Sequence, residues 1–256
     1  SVDFDPGPGV ITKVSKGLSD IFLLKLDSGG SFQWVNCLGS INNDFGESLT
    51  LSREGEIYCT GGFRGTVDFD PGAGTSNLSS TYDAVFVSKF DSKGFLQWAR
   101  MLGDGGYPGC IRTDPFNNIY TCGQFTRPGF LNQSPKGSND TYIVKLLSNA
   151  QIEWVATLGG DYFDYIFALQ VDSTSLYATG YASVNTDFDP DTSTYKLNDS
   201  NGFQFRLKWK VCNTSNAIFA ITCDSFRLNN TEYYSSGTFL QTLPNARGCD
   251  SIITLH

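Results

Sequence analysis

Pairs of aspartates recur in one short motif of this 256-residue chain, Asp-x-Asp followed by proline. Two carboxylates placed two residues apart beside a tight turn can converge on a hard cation, as in the first half of an EF-hand loop. The motif therefore indicates calcium as the cofactor that these loops can bind. The candidate calcium ligands are Asp3, Asp5, Asp68, Asp70, Asp187, Asp189 and Asp191.

The same residues also suit a structural role. In that alternative the first aspartate accepts hydrogen bonds from backbone amides, the phenylalanine packs inward, and Pro-Gly makes the turn. The third copy has Asp191 where the other two have glycine, so it offers three acids at alternate positions. The corresponding stretch of another repeat, 126–129, has neither acid, which indicates that folding does not require them.

Histidine occurs once, at His256. A Ser-His-Asp triad, a Cys-His dyad and a His-ligated zinc site each need an imidazole held inside a structured pocket, and a terminal histidine suits none of them. Catalysis by a pair of carboxylates, as in carbohydrate-active enzymes, remains an alternative. Most aspartates stand in repeated turn positions, and we therefore expect a protein without enzymatic activity.

Seven cysteines occur in the chain, without the spacing of a Cys-x-x-Cys metal site. Cys110 and Cys122 lie symmetrically about Phe116 in a predicted hairpin, so their side chains are expected to face each other. Cys223 and Cys249 bracket the C-terminal segment, where a disulfide would compensate for a small core. The alternative for all seven is a reduced, buried thiol.

Internal repetition provides the elements that position these residues. The tryptophans Trp34, Trp98 and Trp154 recur 64 and 56 residues apart, each followed by Leu-Gly. Each repeat holds four short apolar runs with partial alternation, separated by turn residues, which is typical of strands. In the best-defined repeat the runs are Ser48–Ser52, Glu56–Thr60, Ala84–Phe90 and Leu96–Leu102. Four-stranded antiparallel units that recur about every 60 residues predict an all-β chain of β-propeller blades.

The repeats do not add up to a simple ring. We label them A (1–40), B (41–103), C (104–159) and D (160–210). Repeat A supplies only the last two strands of a unit, and the fourth strand of repeat D is not recognisable. About three and a half blades predict a segment of a longer protein or a ring completed by another chain. The alternative is four irregular blades that close on themselves.

Residues 211–256 predict a separate small β-rich module.

Two groups of aromatic residues are candidates for ligand contact. The tryptophans recur in every repeat, which favours packing between blades over a sugar-binding platform. Tyr162, Phe163 and Tyr165, with Phe167, break the repeat pattern and are the better candidates for a binding surface.

Composition excludes some partners. The formal net charge is −8, and no Lys/Arg-rich patch occurs, so we expect no binding to nucleic acid. No apolar run is long enough to span a membrane as a helix.

The motifs resemble a known family of repeats. Val-Asp-Phe-Asp-Pro-Gly, Asp-Ile-Phe, Gln-Trp with Leu-Gly, and Ile-Tyr-x-Thr-Gly, in this order, resemble the β-propeller repeats of large secreted bacterial proteins. The C-terminal segment, with Gly-Cys-Asp-Ser-Ile at 248–252, resembles a β-rich module of Bacteroidetes-type surface proteins.

The resemblance implies a secreted or cell-surface protein without enzymatic activity. We expect a structural or interaction protein, such as an adhesin or a component of a sheath or filament. Its partners would be further copies of itself, as a homo-oligomer or filament, or extracellular glycan or matrix. A calcium-dependent, lectin-like glycan-binding module is the alternative.

Overall fold

Turns rich in glycine and aspartate divide the chain into short strands, because these residues tolerate the backbone angles that turns require. The computed structural model describes residues 1–173, 175–188 and 196, together with the backbone of six strands between 203 and 255. These residues form strands, bridges and turns, and none of them belongs to a helix. The described residues therefore contain no helix that could cross a membrane. The prediction of an all-β chain is confirmed.

Fifteen strands belong to the repeats. They are β1 (Val2–Asp3), β2 (Thr12–Lys13), β3 (Ile21–Leu26), β4 (Phe32–Leu38), β5 (Phe45–Leu51), β6 (Ile57–Asp68), β7 (Asn77–Phe90), β8 (Leu96–Asp104), β9 (Gly106–Thr113), β10 (Ile119–Phe125), β11 (Asp140–Leu146), β12 (Ile152–Leu158), β13 (Tyr165–Val171), β14 (Ser175–Ala182) and β15 (Phe203–Lys210).

Repeats B and C each form one four-stranded antiparallel sheet with the strands in sequence order, β5-β6-β7-β8 and β9-β10-β11-β12. The predicted four-stranded unit is therefore confirmed. In repeat A, β1 pairs with β2 and β3 pairs with β4, and repeat D contains the three-stranded sheet β13-β14-β15. A shared register relates the repeats, because a tryptophan of the fourth strand pairs with a lysine of the third at Trp34–Lys25, Trp98–Lys89 and Trp154–Lys145.

The hairpin of β6 and β7 is longer than the apolar pattern predicted. A bulge between Phe63 and Gly65 interrupts the register, after which pairing continues as far as Asp68 and Asn77. Gly65 has a φ of 82°, which glycine adopts at little cost because it lacks a Cβ. The bulge therefore carries the Asp-Pro loop out beyond the main part of the sheet.

Hydrophobic cores lie between consecutive repeats. One joins β3 and β4 of repeat A to β6 and β7 of repeat B, and a second joins repeat B to β9, β10 and β11 of repeat C. The first strands of repeats B, C and D, β5, β9 and β13, lie next to one another. Sheets stacked face to face, with their first strands adjacent, are the arrangement of β-propeller blades.

The chain divides into two compact units. The larger consists of Ser1–Asp172 and Leu176–Lys208, and the smaller of Ser173–Ser175 and Trp209–His256. In the smaller unit β16 pairs with β20 in parallel, while β19 with β20 and β17 with β18 pair antiparallel. These strands are β16 (Ser215–Ile218), β17 (Phe226–Leu228), β18 (Thr231–Tyr233), β19 (Phe239–Pro244) and β20 (Asp250–Leu255).

Candidate functional site

The first Asp-Pro loop closes the hairpin of β1 and β2. Asp3 Oδ1 accepts hydrogen bonds from the backbone N–H of Asp5 at 3.1 Å and of Ile11 at 2.9 Å. Asp5 Oδ1 accepts a hydrogen bond from the N–H of Gly7 at 2.8 Å. Each carboxylate therefore replaces water as the partner of turn amides, which is the usual reason for aspartate at such positions.

The second loop, at the end of the β6–β7 hairpin, repeats this arrangement. Asp68 Oδ1 accepts hydrogen bonds from the N–H of Asp70 at 3.0 Å and of Ser76 at 2.8 Å. Asp70 Oδ1 accepts one from the N–H of Gly72 at 2.8 Å. The identical bonding shows that the motif encodes one loop conformation in both repeats.

The third loop is described in part. Asp187 pairs with Lys196 in an antiparallel bridge, nine residues apart like the pairs that close the other two loops. Asp187 is buried, and its Oδ2 lies 3.7 Å from the Nζ of Lys136. The other two predicted ligands, Asp189 and Asp191, lie outside the described residues.

Calcium binding at these loops stays a prediction. Within residues 1–173, 175–188 and 196, no group of three or more His, Cys, Asp or Glu side chains is arranged to hold a metal ion. Calcium takes about six to eight oxygen ligands. The loops lie in three different repeats, so each would have to complete a site with its own second aspartate, backbone carbonyls and water.

The phenylalanine of the motif belongs to the core. Phe69 is buried, with its ring centroid 4.8 Å from that of Phe86 on β7. Repeat C lacks the Asp-Pro motif, yet Phe130 is buried at the same distance, 4.8 Å, from Tyr142 on β11. Repeat C therefore keeps a buried aromatic ring at this place although it lacks the two aspartates. The ring, and not the acids, supplies the core packing that repeat C needs.

The tryptophans pack within and between repeats. The ring of Trp98 lies 6.2 Å from that of Tyr58, and the ring of Trp154 lies 6.1 Å from that of Tyr120. Trp98 Nε1 also donates a hydrogen bond of 3.1 Å to the carbonyl oxygen of Ser148 in the next repeat. These contacts agree with the structural interpretation of the repeated tryptophans.

The aromatic cluster of repeat D forms a row on the surface. The ring of Tyr165 lies 6.4 Å from that of Phe163 and 6.3 Å from that of Phe167, with interplanar angles of 21° and 5°. Tyr162, Phe163 and Phe167 are exposed. Phe163 stands just before β13, Tyr165 begins the strand, and Phe167 lies at the register shift between Ile166 and Ala168. We call Phe163, Tyr165 and Phe167 the aromatic row.

Two predicted partners among the cysteines do face each other. The Sγ atoms of Cys110 and Cys122 lie 2.8 Å apart in the buried interior of repeat C, as free thiols. Burial raises the pKa of Cys122 well above its usual range, whereas the hydrogen bond from Cys122 lowers the pKa of Cys110. The disulfide stays a prediction. Cys223 and Cys249, the other predicted pair, lie outside the described residues.

Two buried aspartates were not singled out from the sequence. Asp44 accepts hydrogen bonds from the backbone N–H of Ser40 and Arg64 at the junction of repeats A and B. Asp164 holds the equivalent place between repeats C and D, since β-bridges of the same type, Ser19–Asn43 and Asn139–Phe163, precede both. Their shared spacing after Leu-Gly was the available signal.

Asp164 is the more extensively bonded of the two. It accepts hydrogen bonds from the N–H of Gly160 and Ser183 and from the hydroxyls of Ser183 and Thr186. Its charge, together with the larger effect of burial, raises the pKa of Asp140. This fully bonded carboxylate holds the start of repeat D to the segment around Ser183 and Thr186 in the same repeat.

Comparison with known proteins places this architecture among repeat proteins. No known family model matches the chain. The chain is 28% identical over 151 residues, 53% of its own length, to an uncharacterized WD repeat-containing protein of Acanthamoeba polyphaga mimivirus. It is 34% identical over 90 residues, 34% of its length, to the regulatory protein FlaEY of Caulobacter vibrioides. These matches span 11% and 9% of the two relatives. With its successive antiparallel sheets, the chain is a β-propeller-like repeat protein.

Proposed function

We propose that this chain is a non-enzymatic structural and interaction protein of the cell exterior. The stacked repeats would form a rigid scaffold that presents loops and exposed side chains to other molecules. The location rests on the resemblance to secreted bacterial propeller repeats and to a module of Bacteroidetes-type surface proteins. Extracellular glycan or matrix is the proposed partner.

The observation that carries this proposal is the aromatic row at the start of β13. The exposed rings of Phe163 and Phe167 flank the partly exposed ring of Tyr165 at 6.4 and 6.3 Å, so the three form one continuous apolar patch. Contiguous exposed apolar surface marks interaction sites more often than isolated exposed side chains do. Sugar rings have apolar faces that stack on such surfaces, while their hydroxyls remain hydrated.

Affinity electrophoresis in gels that contain neutral polysaccharides tests the proposal. The chain should be retarded in at least one of them, and Phe167→Ser should weaken this retardation. Phe116→Ser is the matched control, since Phe116 is exposed to a similar extent but lies on the β9–β10 turn. Equal mobility of both variants and the parent in every gel would contradict the proposal.

Self-assembly is the second candidate function, and the edge of β3 favours it. Among the described residues β3 pairs with β4 alone, and a cavity of about 380 Å³ lies between its apolar side chains and those of β5. An unpaired edge beside apolar surface can add a strand from another molecule. The partner in this case would be a second copy of the chain.

Light scattering over a concentration series tests self-assembly. Phe22→Ser should shift the chain toward the monomer, because Phe22 lies exposed on β3. Phe95→Ser is the control, since Phe95 is equally exposed on a turn. A chain that stays monomeric at all concentrations would exclude this function.

A further inference from the structure

A cavity of about 950 Å³ opens between repeats B and C, away from the aromatic row. Side chains of β8 and β12 line it, and the loop 126–132 closes one side. The lining combines an apolar floor with two guanidinium groups and a carboxylate, from Leu131, Ile152, Val155, Arg100, Arg127 and Asp104. Its volume lies within the range of about 300–1,000 Å³ that is usual for ligand sites.

One guanidinium group is held in place by an aromatic ring. The Cζ atom of Arg127 lies 3.8 Å from the ring centroid of Tyr82, a cation–π contact. Arg127 is exposed, and it forms no ion pair with any described residue. The stacked guanidinium is therefore oriented before any ligand arrives, and its N–H groups remain available.

The second guanidinium is anchored at one end. Arg100 Nη1 donates a hydrogen bond of 2.9 Å to the carbonyl oxygen of Ala150. Its Nε atom is buried and has no hydrogen-bond acceptor among the described residues. Arg100 also forms no ion pair with any described residue. A buried donor without a partner costs free energy. Arg100 is half-buried and lines the cavity, so its guanidinium group carries a positive charge at the site where an anionic acceptor would bind.

The loop beside the cavity departs from the repeat pattern. Gly129, Leu131 and Asn132 all have positive φ angles, of 94°, 49° and 60°. A positive φ is unfavourable for leucine, and strain of this kind collects at functional sites. Hydrogen bonds of 2.8 Å from Gly129 N–H to Gln133 and from Gln133 N–H to Phe130 hold the loop in this shape.

The junction itself also differs from its neighbours. A buried aspartate stands at the start of repeat B and of repeat D, Asp44 and Asp164. The equivalent residue between repeats B and C is Gly106, against which the ring of Phe130 packs. Of these three junctions, the one between repeats B and C contains the cavity. At this junction glycine replaces the buried aspartate, and the loop 126–132 has a different conformation.

We propose that this cavity binds a sugar that carries a carboxylate, the uronic-acid unit of an extracellular polysaccharide. Arg100 and Arg127 would bind the carboxylate, since guanidinium groups match its geometry. Asn132 and Asp104 would bond the hydroxyls, and the apolar floor would contact the face of the ring. An acidic peptide would use the guanidinium groups but leave Asp104 facing a second anion.

Isothermal titration with trigalacturonate tests the site, with its methyl ester as the uncharged comparison. The acid should bind to the parent chain and the ester at least about tenfold more weakly, because charge-assisted hydrogen bonds are lost. Arg127→Gln should weaken binding of the acid by about tenfold to a hundredfold. The matched control is Arg53→Gln, which makes the same change of charge on an exposed turn.

Four results would overturn the proposal. One is failure of the parent chain to bind trigalacturonate, and another is equal binding of acid and ester. The third is equal weakening by Arg127→Gln and Arg53→Gln, which would indicate general charge attraction. Binding of a triglutamate peptide in preference to trigalacturonate would assign the cavity to an acidic peptide instead. None of these outcomes bears on the aromatic row, whose test uses neutral polysaccharides.

Discussion

The third and fourth strands of repeats A and B are equivalent, but equivalent residues on them are buried to very different extents. Phe22 on β3 and Phe86 on β7 are equivalent, each three residues before the lysine that pairs with tryptophan. Phe22 is 58% exposed, whereas Phe86 is 1% exposed. In repeat B, β6 lies beside β7, and the rings of Phe63 and Phe69 cover Phe86. In repeat A, Phe4 is the aromatic neighbour of Phe22.

The same difference appears on the opposite side of the junction. Leu49 on β5, which faces repeat A, is 53% exposed. Its equivalents Ile111 and Leu169, which follow complete sheets, are 0% and 2% exposed. Burial is therefore decided by the neighbouring strands and not by the apolar character of the residue. The same strand position is covered where further strands complete the adjoining sheet, and it stays largely exposed where the neighbouring sheet has two strands.

The largest expected effect tests this comparison directly. Phe86→Ala should lower the free energy of unfolding by about 3–5 kcal/mol, since it removes a fully buried ring. Phe22→Ala should lower it by less than about 1 kcal/mol, because most of that ring is already in water. Urea denaturation of both variants measures the difference. Equal losses would show that repeat A is as well packed as repeat B.

Cross-strand cysteines sharpen the comparison for repeat C. We expect Cys110 and Cys122 to form a disulfide in protein kept under oxidising conditions. Its reduction should lower the free energy of unfolding by about 3 kcal/mol, because the bond closes a short loop in the unfolded chain. Peptide mapping without reductant identifies the bond, with Cys110→Ser as control. Recovery of both residues as free thiols would refute the prediction.

The next prediction compares the contributions of the two buried aspartates, Asp44 and Asp164, to the stability of the fold. Asp164→Ala should lower the free energy of unfolding by about 2–3 kcal/mol, since it leaves buried donors without an acceptor. Asp44→Ala should cost about 1–2 kcal/mol, because fewer donors depend on it. Denaturation curves for the two variants decide the order. A larger loss for Asp44→Ala would mean that repeat A contributes more to the fold than its exposure suggests.

The smallest effects concern the Asp-Pro loops. Asp68→Ala should lower the free energy of unfolding by about 1 kcal/mol and Asp3→Ala by less, because Asp3 is more exposed. If calcium binds, millimolar calcium should raise the midpoint of thermal unfolding of the parent by more than that of the double variant Asp68→Asn, Asp70→Asn, which lacks one of the candidate sites. No heat of calcium binding by calorimetry would leave these aspartates with a structural role alone.

The repeat pattern determined much of this architecture. Alternating apolar runs and turn residues act locally, so the strands of repeat B and their pairing could be predicted from spacing alone. The motif also indicated what the Asp-Pro loops can do, because an aspartate reaches amides within a few residues of itself. The lengthening of β6 and β7 escaped prediction, since a bulge has no hydrophobic signature.

Contacts between distant parts of the chain were decided only by the tertiary structure. Tyr82 and Arg127 meet across a junction of repeats, and neither stands in a motif that marks a site. The burial of Asp44 and Asp164 likewise depends on backbone amides about 20 residues away, such as that of Arg64. The type of a residue limits the bonds it can form, but the stacking of complete sheets determines which partners reach it and which surfaces water still covers.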